Sequence, residues 1–237
     1  MPVLTVPIVS ILGLTPRTRL FCLGIGEQPF TFLAGQAVMA AAHGLHHRRP
    51  YSIACSPERA LETGTIELLV AVEPSSDADL HVSRAAVGDR LDLEGPLGQF
   101  TFPDSPRQER VLFVAGGTGI APLRAMLDHA LRSERAPRMA MIYSARRSDE
   151  FAFIDELRGH ERAGRLELHQ TVTRDEGAAW EGARGRVGRT HFASVLPEPA
   201  HTLCFVCGPP PFVVESKAAL SALGVPEALI RTEHWER

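Results

Sequence analysis

One stretch of the sequence limits the possible fold more than any other: an apolar run that ends in three glycines and a proline. It reads Val111-Leu-Phe-Val-Ala-Gly-Gly-Thr-Gly-Ile-Ala-Pro122. A short apolar run that is bounded by glycine is typical of a buried strand in a parallel sheet. The glycines allow backbone angles that other residues avoid, and Pro122 suits the first turn of a helix. The stretch therefore predicts a strand, a tight turn and a helix N-terminus.

Such a turn can bind an anion, because free backbone N–H groups and the positive end of a helix point toward the same place. We therefore expect Gly116, Gly117, Thr118, Gly119 and Pro122 to form a phosphate cradle for a dinucleotide. The glycine spacing differs from the common G-x-G-x-x-G pattern. A glycine-rich turn that binds nothing is the alternative interpretation.

Composition excludes several classes of protein. The 237 residues suffice for two modest domains, and the net charge of −3 gives no bias toward nucleic acid or anionic membranes. No apolar run approaches the ~20 residues of a membrane-spanning helix, and the N-terminus lacks the basic segment of a signal peptide. Four cysteines do not suggest a disulfide scaffold. We expect a cytoplasmic protein with no nucleic-acid or membrane partner, and the oligomeric state stays open.

Residues 1–103 are expected to be all-β, because short apolar strands alternate with turn signals in the manner of a small antiparallel barrel. A tight turn is predicted at Gly95-Pro-Leu-Gly98. The predicted strands are 3–12, 18–25, 37–42, 49–54, 65–72 and 90–94.

Residues 107–237 follow a linker at Pro103-Asp-Ser-Pro106 and alternate between strand and helix patterns, which predicts a doubly wound parallel α/β sheet. The predicted strands are 110–115, 139–144, 166–173 and 202–207, and the predicted helices are 123–132, 149–159 and 212–223. Ligands of such sheets bind beyond the carboxyl ends of the strands. The Gly116 turn, residues 144–147, residues 173–174 and the Cys207 turn all fall there, which predicts one shared site.

Two groups of residues could suggest a redox pair or a metal site, but their placement favours neither, and Cys204 is expected to pack in the core. Cys204 and Cys207 form a C-x-x-C on one predicted strand, where they point to opposite faces and cannot form a disulfide. His43, His46 and His47 lie in a predicted loop without further ligands at zinc-site spacing. We therefore expect no metal.

The segment Arg49-Pro-Tyr-Ser52 combines a cation, an aromatic ring and a hydroxyl on one predicted strand. Such groups are suited to hold a phosphate, to stack on a planar heterocycle and to hydrogen-bond its edge. A half-buried barrel strand with an exposed arginine is the alternative.

Four motifs in order resemble the ferredoxin–NADP⁺ reductase family, and the likeness covers essentially the whole chain. They are Arg49-Pro-Tyr-Ser52, Gly95-Pro-Leu-Gly-Gln-Phe100, Gly116-Gly-Thr-Gly-Ile-Ala-Pro122 and Cys207-Gly-Pro-Pro210. The resemblance implies a flavin-binding barrel in which Tyr51 packs against the isoalloxazine ring, Ser52 lies near flavin N5 and Arg49 contacts the flavin phosphate. It also implies that Cys207, with Gly208 and Pro209, lies near the nicotinamide.

The resemblance extends to the C-terminus, where Glu233 and Trp235 match a glutamate and an aromatic residue that lie at the flavin, with a frayed tail as the alternative. The family's glycine-serine phosphate turn is replaced by an acidic segment in which Ser76 is a plausible helix N-cap. FAD is favoured, and FMN stays possible. Arg146 and Arg174 match the family's cofactor arginines and favour NADPH over NADH.

These expectations combine into a flavin-dependent NAD(P)H oxidoreductase with Ser52, Cys207 and Glu233 as catalytic residues. No cysteine cluster with iron–sulfur spacing is present in the sequence, which favours a separate electron acceptor. Ferredoxin, flavodoxin or an oxygenase component is the expected partner. Two alternatives stay open: reduction of free flavin or chelated ferric iron, and a non-catalytic interaction subunit that has lost tight flavin binding.

Overall fold

The fold consists of two six-stranded sheets, one antiparallel and one parallel, which confirms the predicted fold class. The computed structural model describes residues 3–26, 30–72, 82–175, 177 and 179–234. Ser76 and Trp235, two of the predicted cofactor-binding residues, lie outside the described residues.

The first sheet, here called the barrel lobe together with its helix α1, is built from antiparallel neighbours in the order β4-β3-β6-β1-β2-β5. A bridge between Ile53 and Leu68 joins its two edges and closes it. Alternate residues of these strands point inward and form an apolar core. Its strands are β1 (Val3–Thr15), β2 (Thr18–Gly24), β3 (Ala37–Ala42), β4 (Arg49–Ser52), β5 (Thr65–Ala71) and β6 (Arg90–Leu97).

Two details of the barrel lobe differ from the sequence prediction. The turn predicted at 95–98 is wrong, because β6 continues through a register irregularity to Leu97, which pairs with Ala37, and Gly98 follows with φ 97°. Helix α1 (Pro57–Thr63) was not predicted. It begins where the Ser56 side chain accepts the Arg59 N–H, an N-cap that its sequence does signal.

The second sheet, with its helices, is called the α/β lobe. Its strand order is β10-β9-β8-β7-β11-β12, and neighbouring strands are parallel. Helices α2 and α3 contribute to the core on one face, and α4 and α5 to the core on the other. The strands are β7 (Arg110–Gly116), β8 (Arg138–Ala145), β9 (Glu167–Val172), β10 (Ala183–Arg184), β11 (Thr202–Cys207) and β12 (Ile230–Glu233). The helices are α2 (Ile120–Leu131), α3 (Ile154–Arg162), α4 (Arg189–Val195) and α5 (Pro210–Ala222).

The predicted helix 149–159 is wrong at its start, because α3 begins only at Ile154. Residues 151–153 are buried, and the Ala152 N–H donates to the Tyr143 hydroxyl at 3.1 Å, so this segment packs into the core instead of coiling. The short elements β10, α4 and β12 were not predicted. A frayed tail is wrong for residues 230–233, since they form β12 beside β11.

The two lobes share a continuous apolar core. Phe102 of the segment after β6 stacks on Phe205 of β11 with ring centroids 5.7 Å apart, and Phe100 meets the same ring edge-on. Phe205 in turn stacks on Phe113 of β7. These aromatic contacts hold the barrel lobe against the α/β lobe. The domain limits 1–103 and 107–237 stay a prediction. No helix in the described part of the chain is long and apolar enough to cross a bilayer.

Candidate active site

The candidate site lies where the strand order of the parallel sheet reverses. From β7 the chain proceeds to β8 and β9 on one side, while β11 and β12 lie on the other. A crevice forms at such a switch point beyond the carboxyl ends of the strands, because the helices leave in opposite directions. β7 ends in the Gly116 turn and β11 ends in the Cys207 turn. The structure thus brings the two predicted nucleotide turns together.

Glycine is required in both turns because their backbones touch. A Cβ on Gly119 would lie 2.2 Å from the Cys207 carbonyl oxygen. A Cβ on Gly208 would lie 3.1 Å from the Gly116 Cα and 2.7 Å from the Phe212 ring. Only a chain without side chains at these positions allows so close an approach.

The same turn leaves open space on its outer side. Gly117 has φ 57°, and a Cβ there would meet nothing within 4 Å. Gly117 and Thr118 are exposed, whereas Pro122 is buried in the first turn of α2. An exposed backbone that leads into a buried helix N-terminus fits the pyrophosphate of a dinucleotide.

The three predicted catalytic residues converge from three strands. The Ser52 Oγ of β4 donates to the Glu233 Oε2 of β12 at 3.4 Å. Glu233 pairs in register with Cys207 of β11. A Cβ on Gly98 would lie 3.7 Å from the Glu233 Oε1, so this glycine also borders the cluster. The cluster therefore joins the barrel lobe to the switch point of the α/β lobe.

The two cysteines of the C-x-x-C have separate environments, as predicted. Cys204 packs in the core beneath α4 and α5, and Cys207 packs in the core beneath α2 and α3. Both are free thiols. Burial raises the pKa of Cys204 to about 12. Burial, and then the charge of Glu233, raises the pKa of Cys207 well above its ordinary value, so Cys207 is a neutral thiol at physiological pH.

Arg49 and Tyr51 of β4 are half-buried, and Tyr51 packs partly against the barrel core. Tyr51 pairs with Val38 of β3, one register position from the Ser52–Ala37 pair. Both residues thus keep part of their surface exposed, and Tyr51 directly precedes Ser52 of the cluster. This position is compatible with a stacked ring and a bound phosphate.

The two predicted cofactor arginines are neighbours at the carboxyl ends of β8 and β9. The Arg174 N–H donates to the Arg146 carbonyl at 2.8 Å, Arg146 is half-buried and Arg174 is exposed. By contrast, Arg184 donates to the backbone carbonyls of Gly177 and Trp180 at 2.9 and 2.8 Å. Arg184 therefore stabilises its own loop.

Comparison with known proteins identifies the chain. Residues 5–102 match the oxidoreductase FAD-binding domain, and residues 113–217 match the oxidoreductase NAD-binding domain. The chain is 31% identical over 242 residues to ferredoxin–NADP reductase B of Sorangium cellulosum, covering 97% of this chain and 96% of that protein. The chain belongs to the ferredoxin–NADP⁺ reductase family. It is therefore a flavin-dependent oxidoreductase with FAD- and NAD-binding regions.

Two further relatives of this reductase place it among electron-transfer flavoproteins. It is 30% identical over 172 residues to NADH-cytochrome b5 reductase 1 of Lodderomyces elongisporus, covering 70% of this chain and only 56% of that protein. The solved structure of the ferredoxin reductase in carbazole 1,9a-dioxygenase superposes with a TM-score of 0.83 and 25% identity, covering 100% of this chain and 70% of that one.

One residue that borders the candidate site, Gly98, could not be recognised from the sequence. Gly98 lies inside one of the four motifs, yet only the fold shows that it borders Glu233.

The loop that carries the three histidines has one contact of note: His43 Nδ1 lies 2.8 Å from the Asp92 carboxylate. Within the described ranges, no group of three or more His, Cys, Asp or Glu side chains is arranged to hold a metal ion.

Proposed function

We propose that this reductase accepts reducing equivalents from NADPH and passes them through FAD to a protein carrier, with Ser52, Cys207 and Glu233 at the reacting centre. One observation supports this most directly: the Ser52–Glu233 hydrogen bond links the barrel lobe to the strand beside Cys207. A nicotinamide held by the glycine turn and a flavin held by β4 would supply the hydride and one-electron chemistry of the reaction.

The chain's own groups position the cofactors and control protons. The Ser52 hydroxyl is held by the Glu233 carboxylate, which in turn is able to take up or release a proton at Oε2. Cys207 contributes a neutral, buried thiol that adds no charge at the nicotinamide position. Arg49 would hold a flavin phosphate, and Tyr51 would pack against the flavin ring.

The dinucleotide lies over the glycine turn in this proposal. The backbone of Gly116, Gly117, Thr118 and Gly119 cradles the pyrophosphate, and Pro122 starts the helix whose positive end faces it. Gly208 and Pro209 allow the nicotinamide end to approach Cys207. Ser76 and Trp235 stay predictions at the flavin.

The nucleotide proposed is NADPH, because two adjacent arginines are suited to grip a 2′-phosphate bidentately. The relatives include one enzyme named for NADP and one named for NADH. The acceptor proposed is ferredoxin, in line with the names of the Sorangium protein and the carbazole dioxygenase component. Flavodoxin or an oxygenase component is the other candidate, and the cytoplasmic location stays a prediction from composition.

Anaerobic titration of the purified protein tests the proposal. A yellow protein that NADPH bleaches, and that NADH bleaches more slowly, supports it. The Ser52→Ala variant is expected to bind flavin normally and to slow single-turnover flavin reduction by about a hundredfold, the loss that a misplacement of about 1 Å between reacting groups can cause. A wild-type protein that cannot be reconstituted with FAD or FMN would contradict the enzyme and favour an interaction subunit.

A further inference from the structure

Arg124 is a buried charged residue for which the proposed chemistry has no use. It lies on α2, and only 4% of its surface is exposed. Burying a guanidinium is costly, and apolar residues of similar size often stabilise a core as well or better. Its contacts therefore need an explanation beyond stability.

The contacts of Arg124 span both lobes. On the barrel side its Nη1 donates to the Ala54 carbonyl at 2.8 Å and pairs with the Glu67 carboxylate. On the α/β side its Nε and Nη2 bind the two carboxylate oxygens of Glu156 on α3 at 3.0 and 2.8 Å. The guanidinium also lies over the Phe153 ring, 4.3 Å from the centroid. One rigid, planar group thus ties together three separate segments.

The segment at Ala54 and the helix that carries Arg124 both lead to the proposed reacting centre. Ala54 follows β4, which ends at Ser52, and the Ala54 N–H is held by the Glu67 carbonyl at 2.7 Å. Arg124 lies in the same helix that begins directly after Gly119. The Arg124 guanidinium therefore connects the segment that follows Ser52 to the helix that starts at the nucleotide turn.

Other contacts on the same helix face also join the two lobes. One turn further along α2, Asp128 accepts from Ser56 Oγ at 2.7 Å and from Arg59 Nε at 3.0 Å. Another turn on, Arg132 Nη2 donates to Glu62 at 3.1 Å. Asp128 and Arg132 bind α1 and its N-cap, whereas Arg124 binds the segment next to β4.

We propose that Arg124 is a positioning residue, which sets the separation between Ser52 and the nucleotide turn and thereby the rate of flavin reduction. The proposal rests on the proposed function, since it assumes that hydride passes between the two lobes. A displacement of about 1 Å between reacting groups can cost about a hundredfold in rate. Arg124 contacts neither reacting group directly, so it acts through Ala54 and α2.

The experiment compares Arg124→Gln with the matched control Arg132→Gln, which removes an ion pair from the same helix face away from the cluster. We expect Arg124→Gln to lower the single-turnover rate of flavin reduction at saturating NADPH by about tenfold or more, with flavin content unchanged. Arg132→Gln should leave that rate unchanged. Equal slowing by both variants, or no slowing by Arg124→Gln, would overturn the proposal.

A second variant and a second readout guard against misfolding and against a wrong function. Arg124→Lys keeps the charge but lacks the planar fork, so it should also slow reduction. Hydrogen exchange of the protein as purified, without added nucleotide, should be faster across residues 49–56 in Arg124→Gln than in Arg132→Gln. If wild-type flavin is not reduced by NADPH or NADH but exchange changes as expected, the proposed function fails while the positioning by Arg124 stands. Unchanged exchange would overturn the positioning.

Discussion

Gly117 and Gly119 belong to the same turn, but the structure requires glycine at each for a different reason. At Gly119 the backbone angles are ordinary for a helix, with φ −61°, and the constraint is space. A Cβ there would lie 2.2 Å from the Cys207 oxygen and 2.7 Å from the Gly208 nitrogen. At Gly117 the space is open and the constraint is the left-handed φ of 57°.

The substitution Gly119→Ala must therefore move backbone. The gap to the Cys207 oxygen has to grow from 2.2 Å to at least 3.0 Å, the shortest distance that real Cβ atoms show. Both atoms belong to turns packed at the ends of buried strands, so neither side yields easily. Overpacking of this kind costs about 1–3 kcal/mol. We expect a loss of about 3 kcal/mol in the free energy of unfolding, because the clash is with backbone rather than with a flexible side chain.

The shift also separates Cys207 from the turn that cradles the dinucleotide. A displacement near 1 Å predicts a fall of about a hundredfold in flavin reduction. Gly117→Ala should cost only about 1 kcal/mol for the left-handed conformation, and should weaken nucleotide binding because the new methyl projects into the cradle. The matched control Gly159→Ala adds a methyl within α3 where nothing lies within 4 Å, and should stabilise by about 0.5–1 kcal/mol.

Urea unfolding and stopped-flow reduction by NADPH measure these effects on the three variants. From the most to the least stable, the order should be Gly159→Ala, wild type, Gly117→Ala and Gly119→Ala. A Gly119→Ala protein as stable and as fast as wild type would refute the close contact between the two turns.

Two further predictions concern charges away from this contact. Burial would raise the pKa of Asp92, but hydrogen bonds from Thr5 at 2.6 Å and from His43 dominate and lower it from 3.8 to about 2. The carboxylate therefore stabilises the fold above pH 4, and this contribution is lost as the pH falls toward 2. Urea unfolding should show that Asp92→Asn lowers the free energy of unfolding by about 2 kcal/mol at pH 7 and by much less at pH 2. Arg174→Ala should raise the KM for NADPH about tenfold with little change for NADH, because only NADPH carries the 2′-phosphate; equal effects on both nucleotides would contradict a 2′-phosphate role.

Much of the fold could be predicted because its signals are local. An apolar run that ends in glycine and is followed by Pro122 specifies a strand, a turn and a helix through neighbouring residues alone. The opposite faces of Cys204 and Cys207 follow from strand geometry. The start of α3 was mispredicted because Phe151 and Phe153 prefer burial against the sheet to the helix that the polar residues before them suggest.

Local patterns also indicated which residue types belong to the candidate site, because the functional side chains of each of the four motifs lie within a few positions of one another. The contacts between those residues depend on distant parts of the chain. Ser52 and Glu233 are 181 positions apart, and they meet only because β12 adds in parallel to β11 and the barrel packs against that edge. Arg124 lies in a mostly apolar helix, and its sequence neighbours do not reveal its partners Ala54 and Glu67, which lie 70 and 57 positions away. Short-range backbone preferences thus determine the elements and their turns, whereas strand order and lobe packing decide which charged and reactive groups touch, because only the folded chain brings them within hydrogen-bonding distance.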